Sequence, residues 1–433
     1  MLIAGIGSII LFLLILFRMP IGFAMGIVGF FGFAYLGDYN YVASLTMSTK
    51  LAVETSQDYG LSIIPLFVLM GNLMTNAGIS KELYKVSYIM VGKFKGGLAM
   101  STIVASGFFS AICGSSLATV ATMSKVSMKP MLNYGYSASL ASASIAAGGT
   151  LGILIPPSVI LVIYGIITEQ SIRELFAAGF LPGLLGVLLY LGAIIWTVKR
   201  DPKAGPAGKE SSKEEKMEAI KNIWGTLLLF TLVMGGIYSG IFTPTEAAGI
   251  GAAGAFLIAL IKKNLTFTSL FIALVETSKT TVSLFVVIIG ALIFSNFVDR
   301  AGFSSELLHF IQTVNLPPLG VIFLMLLVYI LLGFIFESLS MILLTVPIFF
   351  PIVEALGFDL VWFGILVVVV TEISLITPPL GMNVFVLSNA NKDVSTATIF
   401  RGVTPFWIAD IIRLLLLTLI PAIALVLPEF LYK

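Results

Sequence analysis

Thiol and imidazole chemistry are almost absent from this chain, whose 433 residues hold one cysteine and one histidine. A single thiol, Cys113, excludes an internal disulfide and any multi-cysteine metal site, and it reads as a small apolar packing residue. The lone His309 reads as an interfacial loop residue rather than a ligand. Neither a GxxxxGK[ST] phosphate loop nor an HExxH pair occurs, which argues against an intramembrane enzyme. Charge is scarce as well. Only 11% of residues are charged, against about 25% in soluble domains. The net charge is +2, and no basic block with interleaved aromatics appears, so nothing points to nucleic acid.

What fills the space is apolar. Hydrophobic residues make up 58% of the chain, and the mean hydropathy is +1.07. Leu2 to Phe17, Gly183 to Trp196 and Leu414 to Leu427 carry no charge at all, and several longer stretches approach the roughly 20 residues a helical span needs. A soluble core cannot absorb that many, so the chain is expected to be an all-α integral membrane protein with the lipid bilayer as its solvent. Leu2 to Phe17 lacks the basic flank and small-residue cleavage site of a signal peptide, and is read as the first span.

One polar island divides the chain. Lys199 to Lys221 holds seven Lys/Arg and five Asp/Glu of the 46 charged residues, and reads as a solvated linker. The sequences on either side of it repeat each other. Pro20 in MPIGFAMG and Pro244 in TPTEAAGI lie 224 positions apart, as do Ala77 in AGISKEL and Ala301 in AGFSSEL. Ile155 in IPPS and Thr377 in TPPL lie 222 apart, and FAAGFLP at Phe176 echoes FRGVTP at Phe400. Four matches in one order with a nearly constant offset imply a duplication: residues 1–198, a cytoplasmic linker at 199–222, and residues 223–433.

Charge placement orients the halves. With the linker in the cytoplasm, Lys81, Lys85, Lys93, Lys95, Lys125, Lys129, Lys262, Lys263, Lys392 and Arg401 fall inside, while Asp38, Glu54 and Asp58 fall outside. This holds if each half crosses the membrane an odd number of times, so that the two are inverted repeats and both termini face outward. It also requires Gly97 to Val126 and Leu319 to Phe350 to be re-entrant hairpins. Their expected tips, SAICGSSLAT (Ser110 to Thr119) and FESLSMILLT (Phe336 to Thr345), are rich in small and hydroxyl residues that permit tight turns and offer oxygen ligands.

Each half also interrupts one apolar run with adjacent prolines, GILIPPSVILV (Gly152 to Val162) and SLITPPLGMNV (Ser374 to Val384). Proline removes a backbone donor and clashes with the preceding turn, so both runs are expected to be broken helices. Irregular backbone at membrane depth persists only where protein or a water-filled cavity satisfies it. The freed carbonyls can replace the hydration shell of a hard cation such as Na+, and the freed helix N-terminus can face an anion. Inverted repeats with one interrupted helix each are the sequence signature of a secondary-transporter site. A channel remains open as an alternative, as does an ion-coupled transporter that works without a binding-protein partner.

The motifs IPLFVLMGNLM (Ile64 to Met74), SAICGSSLAT, GGTLGILIPPS, FTPTEAAG and EISLITPPLGMNVFV resemble the large membrane subunit of tripartite ATP-independent periplasmic (TRAP) transporters, across essentially the whole chain. The resemblance implies a sodium-coupled importer of small organic acids, of sialic acid or C4-dicarboxylate type, in the bacterial cytoplasmic membrane. It implies an elevator-type fold, in which a transport domain of hairpins and broken helices slides against a scaffold. It also implies two partners: a small four-helix membrane subunit, expected as a separate chain, and a periplasmic substrate-binding protein. Carried over by position, it puts one sodium site at Gly114, Ser115 and Ser116 with the break at Gly152, Ile155 and Pro156. It puts a second at Ser338 and Ser340 with Ser374, Thr377 and Asn383.

Substrate selection should use what differs between the halves. Arg300 stands in the place of Asn76, and a guanidinium can hold a carboxylate bidentately; the alternative is an interfacial anchor paired with Asp299. Glu337 at the second tip could pair with Arg300 or bind substrate hydroxyls, and Ser116 and Ser158 complete the expected substrate set. Glu372 is placed in a polar network near the second break. Asp410 and Arg413 read as a local pair or a subunit contact.

Overall fold

A computed structural model describes residues 2–379 and 381–432, and every regular element among them is helical. The first half runs α1 (Leu2–Leu16), α2 (Ile21–Leu36), α3 (Tyr41–Gln57), α4 (Ile63–Asn76), α5 (Ile79–Val91), α6 (Gly97–Cys113), α7 (Ser116–Met123), α8 (Lys129–Asn133), α9 (Ala138–Thr150), α10 (Val159–Ile167) and α11 (Ile172–Arg200). The second runs α12 (Lys213–Tyr238), α13 (Pro244–Ile261), α14 (Phe267–Arg300), α15 (Phe303–Val314), α16 (Pro318–Leu332), α17 (Ser338–Ala355), α18 (Leu360–Ser374), α19 (Met382–Ala390), α20 (Thr396–Leu419) and α21 (Ala422–Tyr432). Among the described residues, α11, α12, α13, α14, α17 and α20 are each long and apolar enough to cross a membrane, and α3 with α4 makes a seventh candidate bent by 58°. Many large apolar side chains, among them Leu2, Phe17, Leu188, Phe267 and Leu331, remain exposed as a lipid-facing surface requires.

The element order occurs twice. α6 and α7 form a hairpin, followed by the interrupted pair α9 and α10 and then the long α11; α16 and α17, α18 and α19, and α20 follow in the same sequence. α7 begins 222 positions before α17, and α10 begins 223 before α19. One difference stands out. Where the first half bends between α3 and α4, the second runs through as the single 34-residue α14.

Local chemistry sets the element ends. Ser137, Ser158, Ser171, Asp359 and Ser395 cap the starts of α9, α10, α11, α18 and α20 by accepting a backbone N–H. Thr243 and Glu246 form a reciprocal capping box at α13, with Pro244 at the first helical position, so the TPTE motif is a helix start.

Three expectations are revised here. The polar island is not a free linker throughout: α11 extends to Arg200 and α12 starts at Lys213, so only residues 201–212 are irregular. Even these are held, because Gly205 O accepts from Gly96 N at 2.9 Å and Ala204 O from Ser137 N at 2.9 Å. Lys85 pairs with Glu218 at 2.9 Å, and Lys262 pairs with Glu82, which gathers the basic turns and the linker at one end of the molecule. His309 lies exposed on α15 rather than in a loop, because Gly302 and Asn315 in left-handed conformation close a full helix around it. The second tip turns at residues 333–337, earlier than expected, so Ser338 and Ser340 sit in the first turn of α17.

Candidate substrate and cation site

The first hairpin turns at Gly114, whose N–H donates to Ser110 O at 2.7 Å and whose φ of 64° is left-handed, a conformation glycine adopts without steric cost. Ser115 follows in extended form and caps α7 through Ala118 N at 3.3 Å. Thr119 Oγ1 donates to Ser115 O at 2.9 Å, and Ser110 Oγ donates to Thr119 Oγ1 at 2.9 Å, which ties the two arms at the tip.

The first break spans the short 3-10 turn Leu151–Ile153 and residues 154–158, and Pro156 and Pro157 are joined by a cis peptide. Ser158 bridges the gap: its hydroxyl donates to Ile153 O and accepts from Leu161 N at 3.2 Å. Gly152 presses on the hairpin so closely that a Cβ there would overlap the Cβ of Ser110.

The second hairpin and break are built similarly. Glu337, in extended form, precedes α17; Ser340 Oγ donates to Glu337 Oε1 at 3.3 Å, and Ser338 Oγ donates to Thr371 O at 3.4 Å. Thr371 O also accepts from Ser374 Oγ at 2.6 Å, and Thr377 Oγ1 donates to Ile373 O at 2.6 Å. Pro378 and Pro379 are again cis. The chain re-enters helix where Asn383 N donates to Leu375 O at 3.0 Å.

Two hydrogen-bonded pairs then join the halves. Asn383 Nδ2 donates to Ser116 Oγ at 2.8 Å and to Ala146 O at 3.0 Å, and Ser116 Oγ lies 3.0 Å from Asn383 Oδ1. Eight residues further along both segments, Asn391 Nδ2 donates to Ser124 Oγ at 2.5 Å. Equal steps in the same direction mean that the segment from Ser116 and α19 run parallel in register. Ser116 and Asn383, which sequence motifs divide between two sites, therefore touch directly.

A cavity of about 540 Å³ opens between these parts. Gly114, Ser115 and Ser116 of the first tip, Glu337 and Ser338 of the second, Ile153 and Val159 beside the first break, and Leu375 and Met382 beside the second all line it. Its remaining polar wall comes from Asn72 on α4 and from Lys279, Thr280 and Ser283 on α14. Ser340, Ser374, Asn383 and Ser158 are buried outside this lining, as are the break residues Gly152 and Pro156, while Ile155 and Thr377 are half-buried.

Arg300 sits elsewhere. It is exposed at the far end of α14, with its guanidinium stacked 4.5 Å from the Phe33 ring centre, and it makes no ion pair with Asp299 or Glu337. Sequence comparison of the halves leads to Arg300 and passes over Lys279. The signal that finds Lys279 is simpler: it is an ionisable residue inside a long apolar helix.

Behind the cavity a buried polar chain connects the two breaks. Thr150, the last residue of α9, lies 2.9 Å from Tyr190 OH, which donates to Asp410 Oδ2 at 2.5 Å. Arg413 Nη2 lies 2.9 Å from Asp410 Oδ1 and 2.7 Å from Glu372 Oε2, close to the end of α18. Asp410, Arg413 and Glu372 are buried within the chain, so the pair is not a subunit contact. Gly186 makes room for the Arg413 guanidinium, which a Cβ there would strike.

Paired hairpins and interrupted helices around one polar cavity, in a multi-pass helical protein, describe a membrane transporter. The chain matches the family described as tripartite ATP-independent periplasmic transporter, DctM component, over residues 8–423, and it belongs to that family. It is 36% identical over 379 residues to the C4-dicarboxylate TRAP transporter large permease protein DctM of Pseudomonas aeruginosa, covering 87% of this chain and 88% of that one. It is 34% identical over 433 residues to the sialic acid TRAP transporter large permease protein SiaM of Vibrio cholerae, covering 98% of each. These relatives are permeases, not enzymes. The fold is also similar to that of the YdaH transporter of Alcanivorax borkumensis, with a TM-score of 0.64 at 13% identity and 88% of each chain covered.

Proposed function

We propose that this large permease subunit is a sodium-coupled importer of small organic acids in the bacterial cytoplasmic membrane. It works with a small four-helix membrane subunit and receives substrate from a periplasmic binding protein. The observation that carries this reading is the convergence of both hairpin tips and the edges of both breaks on one cavity rimmed by serine hydroxyls. Hydroxyl and carbonyl oxygens suit a hard monovalent cation. Gly114 to Ser116 with the first break would hold one Na+, and Ser338 and Ser340 with Ser374, Thr377 and Asn383 a second. The organic acid lies between them, and the recurring order of elements supports two inverted repeats, 1–198 and 223–433, that alternate access elevator-fashion. The relatives transport C4-dicarboxylates or sialic acid by name, and an organic acid of either kind fits the cavity's volume.

Reconstitution of the permease with both partners into proteoliposomes tests this. Uptake should saturate with substrate, rise with an inward sodium gradient and collapse when the gradient is dissipated. Uptake indifferent to sodium would contradict the coupling.

A further inference from the structure

Lys279 lies twelve residues beyond the start of the 34-residue α14, about 18 Å along the helix axis. Thr280 and Ser283 of the same helix line the cavity with it. Among the described residues it makes no ion pair, and Glu276, one turn before it, is not bridged to it. Lys279 is exposed within the structure, as an ammonium inside a long apolar helix must be, to water or to a ligand, when no carboxylate pairs with it. The α14 wall is also fixed in place, because Asn72 Nδ2 donates to Thr277 Oγ1 at 3.0 Å and so locks α4 to α14 half a turn before Lys279.

The second hairpin carries the opposite charge. Glu337 lines the same cavity, has one oxygen engaged by Ser340 Oγ at 3.3 Å, and makes no ion pair. The cavity thus presents one fixed cation and one fixed anion on different walls, which do not neutralise each other. A symmetric dicarboxylate seated on Lys279 would turn its second carboxylate toward Glu337, and like charges in such a space reject a ligand strongly. A monocarboxylate with hydroxyl or N–H groups at its other end satisfies both walls.

We propose that Lys279 receives the substrate carboxylate and Glu337 accepts hydrogen bonds from the opposite end, so that the cavity selects a monocarboxylate rich in hydrogen-bond donors over a dicarboxylate. The inference rests on the transporter reading of this cavity and adds its substrate class. Lys279 is a substrate-binding residue, and Arg300 takes no part in recognition.

Binding is measured directly on the permease with its small membrane subunit, purified in sodium and without the binding protein, whose own selectivity would mask that of the cavity. The probes are N-acetylneuraminate, gluconate and succinate, read by calorimetry. At least one of the two monocarboxylates binds wild type more tightly than succinate. Lys279→Gln weakens that binding about tenfold or more, as loss of a charged hydrogen bond does, while Lys279→Arg largely restores it. Glu337→Gln narrows or reverses the preference over succinate, and this variant carries the test should Lys279→Gln fail to fold. Tighter binding of succinate by wild type, unchanged affinity in Lys279→Gln, or no binding of either monocarboxylate overturns the inference. Sodium dependence of wild-type uptake is scored separately: its loss would overturn the coupling and leave the charge selection standing on its own data.

Discussion

The two contacts between hairpin and broken helix are alike in shape and opposite in composition. In the first half the glycine belongs to the break, Gly152, and the serine to the hairpin, Ser110. In the second half the glycine belongs to the hairpin, Gly333, and the serine to the break, Ser374, whose Cβ a methyl on Gly333 would overlap. Gly152 and Ser374 are 222 positions apart, and Ser110 and Gly333 are 223, so the partners occupy equivalent places in the two halves. What both halves keep is the close approach of two backbones through one glycine and one serine, as small residues allow within membranes. Which side supplies the glycine is free. Aligned one residue at a time, these positions look like mismatches, and only the contact shows that they are one device used twice.

The largest expected effect comes from the buried chain that ties the two contacts together. Arg413→Ala strands Glu372 and Asp410 in the interior, which should destabilise the protein by about 3–5 kcal/mol. A steep loss of melting temperature or of folded yield in detergent is the readout. Adding Glu372→Gln and Asp410→Asn should recover most of it, because the unpaired charges leave with the arginine.

Next come the glycines. Gly152→Ala should cost about 1–3 kcal/mol by overpacking, and more than Gly333→Ala, because the added methyl meets both Cβ and Cα of Ser110. Gly152→Ser combined with Ser110→Gly converts the first contact into the arrangement of the second and should restore stability and uptake. If the double variant is no better than Gly152→Ser alone, the equivalence of the two contacts is lost.

The smallest effect concerns the Ser116–Asn383 pair. Ser116→Ala and Asn383→Ala should be coupled by about 1 kcal/mol in a double-mutant cycle on the sodium concentration for half-maximal stabilisation. Additive single effects would mean that the tip and the second break act independently.

Much of this architecture is legible in the residues. Adjacent prolines forbid a continuous helix, so both breaks can be located from sequence, and the Gly-Ser-Ser turn marks the first tip. The second tip is displaced because Phe336 and Glu337 carry no turn signal and the reversal falls on Gly333. The misplacement of Arg300 is a matter of length. α14 is one continuous helix where its counterpart bends, and residue 300 lies twenty-one positions beyond Lys279 on it, about 31 Å along the axis. The contact of Ser116 with Asn383, and the chain from Thr150 to Glu372, join residues more than 200 positions apart; no local pattern announces such pairings.

If each hairpin tip with its helix break holds a sodium ion beside the cavity, as proposed, sodium itself should stabilise the fold. Titration of the purified permease with NaCl, with KCl at matched ionic strength as control, tests it most directly through the melting temperature. Sodium but not potassium should raise the melting temperature, less so in Ser116→Ala and in Ser338→Ala and least in the double variant. Equal stabilisation by potassium, or a sodium response untouched by both substitutions together, would contradict it.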